Sequence, residues 1–574
     1  MSEAGGKQGG HRDGGGLFPF RVAWIIPVAA ALTLGLGLWA WLSRHVPLDE
    51  ALYRSVGLFE IDGNAYSHGE PLTDWRFRLG RWTGAGVVFS SLLALAALLH
   101  EQLATALARW TKQAVVVIGS DPLALAAFEA ACRSGRSSLW LGASGFGSAS
   151  LRDIALAWPQ RERARAVLEH ARDADHVLVV NIDDAEALSL ARAAREAAPT
   201  AEITVLMRDV RLAEDAAATL NQPRTRVLST AAVAARALAE AHPPFLIARA
   251  SGHTRVHALI VGFGQTGQAI ARDLMVNCRT TYLGLPRITV IDPQATDLEG
   301  VLRVRAPEID ACADTRFIDG EIGSRAVRPE PPVIARELAA GGPITVAYVC
   351  LADDASALSG AAMLQSLLRA VDFDQPPIFV RLREARVVAE GGAGWGLDAL
   401  TPFGELDTVL KASEFLSNAP DAAARAFCEA YRASLTAAER DDPNNRSAFP
   451  WERLDETWRQ ANRDAVAHIA AKLASADIPP ERWRGVAGLP RVAESERLFR
   501  GHSDLETLAR LEHERWMAQR RMDGWRRSDA PSKNEARRTH PSLKDYDALS
   551  EEVKEYDRVF VRQTQRAVTG ETAD

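Results

Sequence analysis

Cysteines are few in this chain, and none of them is spaced as a pair. There are five among the 574 residues, namely Cys132, Cys278, Cys312, Cys350 and Cys428. Structural zinc sites and disulfide frameworks place cysteines at short, repeated intervals. The scatter therefore argues against both kinds of site, predicts no bound metal and favours a reducing compartment.

Recognisable catalytic motifs are also missing. The sequence contains no HExxH motif, no Ser-His-Asp spacing and no paired-carboxylate motif, and its 13 histidines are dispersed. A dehydrogenase would need an acid–base group held against the nicotinamide. His513 and His540 are candidates for that task, although a structural or ligand-contacting role suits both better. We therefore expect a sensor without catalytic residues, and an NAD-dependent oxidoreductase is the least favoured alternative.

The chain has no overall excess of positive charge. It contains 67 basic and 74 acidic residues, so its formal net charge is −7. Bulk electrostatics therefore do not favour a nucleic-acid partner. The length predicts about three or four domains.

Two apolar stretches follow a glycine-rich tail, residues 1–21, which has too little apolar content to fold. Residues 22–43 carry no charge and are long enough to cross a bilayer, which takes about 20 residues. Residues 82–99 form a second, shorter stretch with small residues suited to helix packing. We therefore expect a disordered tail, two transmembrane helices and an external loop over 44–81. The protein would be a multi-pass protein of a bacterial inner membrane, with most of its chain in the cytoplasm.

From residue 113 onward, short buried strands alternate with helices. Strand-like runs include AVVVIGS, HVLVVNIDD and ITVLMRD, and later TVAYVCLADD and PIFVRL. This alternation predicts parallel sheets covered on both faces. An Asp-Asp pair follows a strand twice, at 183–184 and 353–354, which indicates an internal duplication. We expect two Rossmann domains, over residues 113–245 and 256–412.

The glycine pattern differs between the two domains. The first keeps only Gly119 of a dinucleotide-binding fingerprint, so we interpret it as a degenerate Rossmann domain kept for structure or dimerisation. In the second, a strand leads into a GxGxxG turn and a helix, and the next strand ends in an acid. These glycines permit a tight turn, a close approach to pyrophosphate and helix packing, and the acid suits a ribose hydroxyl. The expected binding residues for NAD(H) or another adenine nucleotide are Gly262, Gly264, Gln265, Thr266, Gly267 and Asp292. A vestigial turn is the alternative.

The tandem arrangement resembles the NAD-binding (TrkA-N) domains of Trk-type potassium-uptake regulators and the RCK domains, which regulate potassium conductance. The resemblance covers roughly residues 113–412. It implies nucleotide binding in the second domain and a homo-oligomer, since RCK-like domains commonly pair into rings.

Positive charge is concentrated around tryptophans near the C-terminus. From Arg515 to Lys544, nine basic residues are opposed by three acids and interleaved with Trp516, Trp525 and His540. Aromatic faces and guanidinium groups together suit an anionic ligand with a flat ring, such as a nucleotide. The alternative is that the tryptophans belong to the core and the arginines form a solvated face. The candidate ligand-binding residues are His513, Arg515, Trp516, Trp525, Lys533, Arg537, Arg538 and His540.

The same stretch resembles the ryanodine-receptor repeat (RyR) domain. The resemblance rests on a charged helix carrying His513 and Trp516, then Gly524-Trp525, then His540-Pro541. With a helical lead-in over residues 447–473, the expected RyR-repeat domain spans residues 445–566 and is mainly helical. The resemblance implies a ligand-responsive protein.

The whole chain is therefore expected to be an α/β protein. Two transmembrane helices would precede tandem Rossmann domains, each a doubly wound parallel sheet, and a RyR-repeat domain. The first hypothesis is a nucleotide-responsive ion channel or transport component whose partners are the lipid membrane, a small anionic ligand and further copies of itself. The alternative is a membrane-tethered nucleotide or redox sensor that has no pore and signals to a partner protein. Residues 55–59 match a potassium filter only superficially, because Phe59 replaces its second glycine.

Overall fold

The structure is a computed structural model, and it describes most of the chain. The described residues are 18–59, 74–110, 113–143, 148–150, 153–157, 163–172, 174–180, 183–220, 224–323, 340–370, 375–383, 400–483, 490–493 and 495–570. Residues 1–17 of the predicted tail and 60–73 of the predicted external loop lie outside this set. The chain divides into two compact units, Met1–Trp110 and Thr111–Asp574.

Within the described residues, the first unit contains three α-helices. They are α1 (Phe18–Leu42), α2 (Leu48–Val56) and α3 (Trp75–Trp110). A hydrogen bond of 2.7 Å from Thr33 to Thr83 joins α1 to α3. Between the helices lies a small buried core, made by Ala40, Trp41, Ala51, Leu58 and Phe77.

The prediction of two transmembrane helices is wrong. Of the helices in the described ranges, none is both long enough and apolar enough to span a membrane. This finding contradicts the predicted spans over 22–43 and 82–99. The prediction counted apolar residues along the chain, but some of them pack against one another. Trp41, near the end of the first predicted span, packs on Phe77, which lies outside both spans, with their ring centroids 4.9 Å apart.

The second unit begins with a mostly parallel sheet, which has seven strands among the described residues. In space the strands follow the order β3-β4-β2-β1-β5-β6-β7, and only the β3–β4 pair is antiparallel. The strands are β1 (Val115–Ile118), β2 (Ser138–Ala143), β3 (Ser148–Ser150), β4 (Asp153–Ala157), β5 (His176–Val180), β6 (Glu202–Met207) and β7 (Thr225–Ser229). The helices between and after them are α4 (Pro122–Arg133), α5 (Arg163–His170), α6 (Asp184–Ala197), α7 (Val210–Leu220), α8 (Thr230–Ala241) and α9 (Pro244–Ala250).

A second sheet follows, and the six strands that the structure describes in it are all parallel. They lie in the order β10-β9-β8-β11-β12-β13. The strands are β8 (His257–Val261), β9 (Arg287–Asp292), β10 (Asp314–Asp319), β11 (Val346–Val349), β12 (Ile378–Arg381) and β13 (Leu400–Phe403). The helices are α10 (Gln265–Asn277), α11 (Ala295–Arg305), α12 (Asp354–Ala370) and α13 (Leu406–Ala412).

Both sheets have the strand order of a dinucleotide-binding fold. Leaving out β3, each sheet has six parallel strands. When these six are numbered in chain order within each sheet, their order in space is 3-2-1-4-5-6 in both, as in Rossmann domains. Strands β1, β5, β8 and β11 are buried along their whole length, because helices cover both faces of a parallel sheet. The predicted pair of doubly wound parallel sheets is therefore confirmed.

The repeated Asp-Asp pair makes the same contacts in both sheets. Asp183 accepts hydrogen bonds from backbone amides at the start of α6, and Asp353 does so at the start of α12. The second acid of each pair reaches the next strand end along the sheet. Asp184 accepts from the Arg208 amide at 3.0 Å, and Asp354 accepts from the Arg383 amide at 3.1 Å. Each pair thus caps a helix and ties two strand ends together.

The C-terminal part is mainly helical and packs directly on the second sheet. Its elements are α14 (Ala422–Ser434), α15 (Ala437–Asp441), α16 (Glu456–Ala467), α17 (Ile469–Ser475), α18 (His502–Met522), β14 (Arg526–Arg527), β15 (Thr539–His540) and α19 (Glu551–Thr569). Ala471, Ala474 and Ala518 belong to the same buried core as strand β8 and helix α10. This shared core makes the helical part continuous with the Rossmann domain that carries the GxGxxG turn.

Candidate functional site

The GxGxxG turn lies at the carboxyl end of β8, and its three glycines meet different surroundings. Gly262 has a φ of 89°, and a Cβ there would lie 2.8 Å from the Cys350 carbonyl oxygen. A Cβ on Gly267 would lie 2.3 Å from the Gly262 carbonyl oxygen, so only glycine lets α10 approach β8 this closely. A Cβ on Gly264 would meet no atom within 4 Å. The turn is therefore closed at its two ends and open at Gly264.

Two features of this turn suit an anionic ligand. The N-terminus of α10 has Gly264 at its N-cap and no side-chain hydrogen bond to the cap, so its amides point into open space. Asp292 lies beside them, since its carboxylate accepts hydrogen bonds from the Phe263 amide at 2.7 Å and the Gln294 amide at 2.9 Å. The carboxylate keeps further lone pairs that could accept from a ribose hydroxyl.

Two of the predicted residues at this turn do not face the open position. The side chain of Gln265 is bonded to the first Rossmann domain, because it accepts from the Val210 amide at 2.9 Å and donates to Asp209 at 3.2 Å. Thr266 is buried. Among the predicted residues, the open side of the turn is therefore made by Gly264 and Asp292.

The corresponding turn of the first sheet is filled by the protein itself. A Cβ on Gly119 would lie 1.5 Å from the Val180 carbonyl oxygen, so this position, like Gly262, accepts only glycine beside the neighbouring strand end. The carboxylate of Asp121 caps α4 by accepting from the Leu123 amide at 2.9 Å. It also binds Arg208 at 2.6 Å. An internal carboxylate thus stands at the helix start where a phosphate would bind.

The second candidate site lies in the C-terminal part, where three tryptophans surround one arginine. Arg520 Cζ lies 4.0 Å from the ring centroid of Trp458, 5.5 Å from that of Trp525 and 5.9 Å from that of Trp516. Lys533 Nζ lies 4.8 Å from the Trp458 ring. The His540 ring lies 5.0 Å from Trp516. We name the group formed by Trp458, Trp516, Arg520, Trp525, Lys533 and His540 the tryptophan box.

Arg520 is buried in this box without enough partners. Its side chain ranks among the largest that are fully buried. Its Nε and Nη1 atoms have no hydrogen-bond partner in the described part of the chain. Burial lowers the pKa of Arg520 to about 10, and the positive charge of Arg515 adds to the effect while Asp523 opposes it. The box therefore holds a cation that the protein alone does not neutralise.

The pKa values of two other basic groups of the box, His540 and Lys533, are also lowered. Burial, together with the nearby charges of Arg520 and Lys533, lowers the pKa of His540 to about 3. The Nδ1 atom of His540 accepts from the Ser542 amide at 3.1 Å, which suits a neutral ring with its proton on Nε2. Burial also lowers the pKa of Lys533, although Glu535 opposes this change. The box as a whole disfavours positive charge and would gain from an anion.

The remaining predicted residues lie around the box in other roles. His513 donates to Asp557 and to the Lys544 carbonyl, at 3.1 and 2.9 Å, so both ring nitrogens are engaged. The guanidinium of Arg515 is paired with buried Glu512 at 2.9 Å. Arg537 and Arg538 are exposed, and Arg538 donates to the Asp523 carbonyl oxygen. The structure thus brings Trp516, Trp525, Lys533 and His540 together and gives the other four predicted residues structural or surface positions.

Two residues of the box were not singled out from the sequence. Arg520 lies one helical turn after Trp516 on α18, so the (i, i+4) spacing of these residues was a usable signal. Trp458 lies on α16, and it precedes Arg520 by 62 positions along the chain. No spacing rule connects two such residues, and only the packing of α16 on α18 brings them together.

Ion pairs connect the two candidate sites. Arg272, on the helix that starts at the GxGxxG turn, binds Asp464 on α16 at 3.0 Å. It also lies 3.4 Å from Asp523, which directly follows α18 and precedes Gly524-Trp525. On the opposite side of α18, Arg521 pairs with Glu308 at 3.2 Å. The helix carrying Arg520 is therefore tied to the Rossmann domain on two sides.

Comparison with known proteins identifies the C-terminal part. Residues 502–570 match the family model described as RyR domain. The predicted RyR-repeat module is thus confirmed over that range, which includes α18, both short strands and α19. No curated protein matches the chain.

Among solved structures, the chain is similar to several described as GsuK. They include "GsuK Channel" (TM-score 0.37, 14% identity, 70% of this chain and 98% of that chain). "Crystal structure of the GsuK bound to ADP" (0.35, 14%, 70% and 97%) and "GsuK channel bound to NAD" (0.35, 12%, 70% and 83%) are two others. These TM-scores are too low to argue from, so the likeness to Trk-type and RCK domains stays a prediction.

Proposed function

We propose that this protein is a non-enzymatic sensor whose RyR domain binds an anionic ligand with a flat ring, such as a nucleotide, in the tryptophan box. The observation that carries this proposal is Arg520, a buried guanidinium with two nitrogen atoms that find no hydrogen-bond partner among the residues that the structure describes. A buried cation without a counter-ion is costly, whereas the same cation bonded to a phosphate or carboxylate is stabilising.

The aromatic side chains explain why the ligand should carry a ring. Trp458 and Trp516 are half-buried, so part of each indole reaches the surface next to Arg520. A flat base can stack on such an indole, and stacking on an aromatic side chain contributes about 1–3 kcal/mol per base. Arg520 and Lys533 would then meet the phosphate groups. The ligand class is therefore a nucleotide or a closely related anion.

Isothermal titration calorimetry of the full chain with a panel of nucleotides tests this proposal. We expect at least one nucleotide to bind, and Arg520→Met to weaken its binding by at least about tenfold, the effect of one charge-assisted hydrogen bond. Arg510→Gln is the matched control. It removes a positive charge from the same helix, but Arg510 is paired with Asp547 at 2.6 Å away from the box. Unchanged affinity in Arg520→Met, or no binding by any nucleotide, would contradict the proposal.

The second ligand position that we propose is the GxGxxG turn, with NAD(H) or another adenine nucleotide as the ligand. The open space beside Gly264 and the position of Asp292 next to the α10 amides support it. The nucleotide would act there as a regulatory ligand. Substrate-dependent oxidation of NADH by the purified protein would instead favour an oxidoreductase.

The output that we propose is a contact with a partner protein, made by a homo-oligomer in the cytoplasm. The cysteines support a reducing compartment, because all five are free thiols and four of them are buried. Cross-linking of the purified protein with and without nucleotide would test for the oligomer. A monomer under both conditions would contradict this part of the proposal.

A further inference from the structure

A basic cavity of about 290 Å³ is lined by residues that belong to neither candidate site, although one of them, Arg459, directly follows Trp458 of the tryptophan box on α16. It is found where the amino ends of β6 and β7 meet the start of the helical C-terminal part. Four arginines line it, namely Arg224, Arg226, Arg425 and Arg459, and only two acids, Glu202 and Glu452, do so. The lining therefore carries a formal excess of two positive charges.

The two most buried arginines of this cavity are bonded mainly to uncharged oxygen atoms. Arg226 donates to the Thr204 hydroxyl and to the carbonyl oxygens of Ser413 and Glu414, at 3.0–3.2 Å. Among the described residues, no carboxylate is recorded within ion-pair distance of it. Burial lowers its pKa, which indicates a poorly compensated charge. Arg459 donates to the carbonyl oxygens of Trp451 and Glu452, each at 3.2 Å, and the Glu456 carboxylate lies 3.7 Å from its guanidinium.

A neighbouring arginine shows how a fully paired guanidinium looks in this region. Arg463 contacts both oxygens of Asp421 at 2.8 Å and also binds Glu456. Its acids therefore neutralise it. Arg224, Arg425 and Arg459 each lie within ion-pair distance of one acid, at 3.8, 2.8 and 3.7 Å. Arg226 has no such partner among the described residues, so its charge is available to an anion that enters the cavity.

The aromatic side chain at this cavity is already covered. Arg425, Arg459 and Arg463 lie 5.3, 5.8 and 5.9 Å from the ring centroid of Trp451, and the residue is only 4% exposed. A base has no free indole face to stack on here, in contrast to the tryptophan box. The ligand must be compact and recognised by charge.

We propose that this cavity binds a compact phosphate-type dianion, such as inorganic phosphate or pyrophosphate. Guanidinium groups bind phosphate oxygens in a forked geometry, and several arginines around one cavity suit more than one such oxygen. The bound anion would join the amino edge of the first sheet to α14 and α16. The first Rossmann domain, whose own glycine turn is filled, would thus hold an anion at its opposite edge.

Arg224 and Arg425 are the residues to change, because their side chains are 55% and 29% exposed and their loss should leave the fold intact. Arg224 directly precedes β7 and has a left-handed backbone conformation, with a φ of 58°. The double variant Arg224→Gln, Arg425→Gln removes two of the four lining charges. Arg520→Met serves as the control, because it changes the tryptophan box and leaves this cavity untouched.

Calorimetry of the full chain with inorganic phosphate, pyrophosphate and a nucleoside diphosphate tests the proposal, with thermal unfolding as a check on folding. We expect pyrophosphate or phosphate to bind the wild type and Arg520→Met equally. We expect the double variant to bind at least about tenfold more weakly while unfolding at a similar temperature.

Three results would overturn the proposal. They are no binding of either inorganic anion, equal binding by the double variant, or loss of binding in Arg520→Met alone. Binding of only the nucleoside diphosphate, when Arg520→Met abolishes it, would assign that ligand to the tryptophan box. That outcome would support the proposed function and reject the cavity.

Discussion

At the scale of single residues, three buried arginines of the C-terminal part differ in what neutralises them. Arg463 is held by Asp421 and Glu456, and Arg515 by Glu512. Arg520 lies against aromatic faces, and in the described part of the chain it has no ion pair and two nitrogen atoms without a hydrogen-bond partner. The first two arginines organise the fold, since removal of either partner would leave a buried charge. The anion that we propose as the ligand would supply the missing partner of Arg520.

Replacement of Arg520 should therefore stabilise the protein in the absence of ligand. A pKa lowered from 12.5 to about 10 corresponds to a cost of roughly 3 kcal/mol at neutral pH. Loss of the contact with Trp458 offsets about 1–2 kcal/mol of it. We expect Arg520→Met to raise the free energy of unfolding by about 1–2 kcal/mol in urea denaturation. A clear loss of stability would mean that Arg520 is a structural residue.

The protonation of His540 should make the protein sensitive to acid. Its pKa is lowered to about 3 in the folded state, against about 6.5 when unfolded, so the folded protein binds its proton less readily. This contribution to stability is fully present above pH 6.5 and is lost as pH falls toward 3, at up to about 1.4 kcal/mol per pH unit.

The measurement is urea denaturation at pH 7 and pH 5, and His540→Asn is the informative variant. An asparagine oxygen can still accept from the Ser542 amide, so the turn is preserved. We expect the variant to lose about 2 kcal/mol less stability than the wild type between these pH values. His502→Asn, at a histidine that is 80% exposed, should behave like the wild type. Equal losses in all three proteins would refute the assignment.

At the scale of elements, the turn before α10 combines a closed end with an open position. Gly267 lets the helix contact the carbonyl of Gly262, whereas Gly264 leaves a space that no protein atom fills. Helix α10 then continues to Arg272, which meets α16 and the end of α18. The same helix thus begins at one candidate site and bonds to the module that contains the other.

Alanine substitutions separate these two tasks of the glycines. Gly264→Ala places its Cβ in open space at a φ of −67°, so it should leave stability unchanged. The same methyl group would stand where a pyrophosphate approaches, so nucleotide binding at the turn should fall by at least about tenfold. Gly267→Ala should instead destabilise the fold by about 1–3 kcal/mol through overpacking.

Thermal unfolding and calorimetry with NAD(H) and ADP measure both effects. If Gly264→Ala binds these nucleotides as the wild type does, the turn is a structural remnant. If Gly267→Ala is as stable as the wild type, the close approach of α10 to β8 is not needed for the fold.

At the scale of the whole molecule, the second compact unit is two copies of one sheet fused to a RyR domain. The copies share strand order and Asp-Asp contacts, but only the second has an open turn, and the helical part shares a core with that second copy. We expect this continuity to let a change in the box affect the turn. The first copy contacts the turn through Gln265 and α7, which limits how far the two sheets can separate.

We expect ligands of the box and of the turn to influence each other. Coupling between two sites is typically about 1–3 kcal/mol, which is roughly a 5- to 150-fold change in affinity, and it is equal in both directions. Arg272→Gln should reduce it, because this residue bonds to α16 and lies next to the end of α18.

Calorimetric titration of each ligand with and without the other measures the coupling. Arg249→Gln is the matched control, since Arg249 joins the Rossmann part to the helical part through Asp477 at 2.8 Å but lies away from both sites. Its coupling should match the wild type. Independent binding of the two ligands in the wild type would rule out communication between the sites.

Part of this protein could be predicted from local sequence patterns. The alternation of strands and helices, the GxGxxG turn with Asp292 and the RyR anchors depend on residues close together in the chain, and the structure keeps all of these elements. Their physical basis is local, because backbone sterics at glycine and the burial of apolar strands act within a few residues. The membrane prediction failed because, in the described part of the chain, the two apolar stretches do not form helices that are both long enough and apolar enough to span a membrane.

Contacts between distant residues were decided by the tertiary structure alone. The sequence placed Trp516, Trp525, Lys533 and His540 in one cluster, but it did not reveal that Trp458 joins them or that Arg520 lies unpaired between them. Nor did the sequence reveal which arginines form ion pairs. Arg515 pairs with Glu512, whereas Arg226 donates to the Ser413 carbonyl oxygen, and nothing in the sequence distinguishes the two arginines. Charge compensation in a protein interior depends on atoms a few ångströms apart, and only the packing of the helices on the sheets determines those distances.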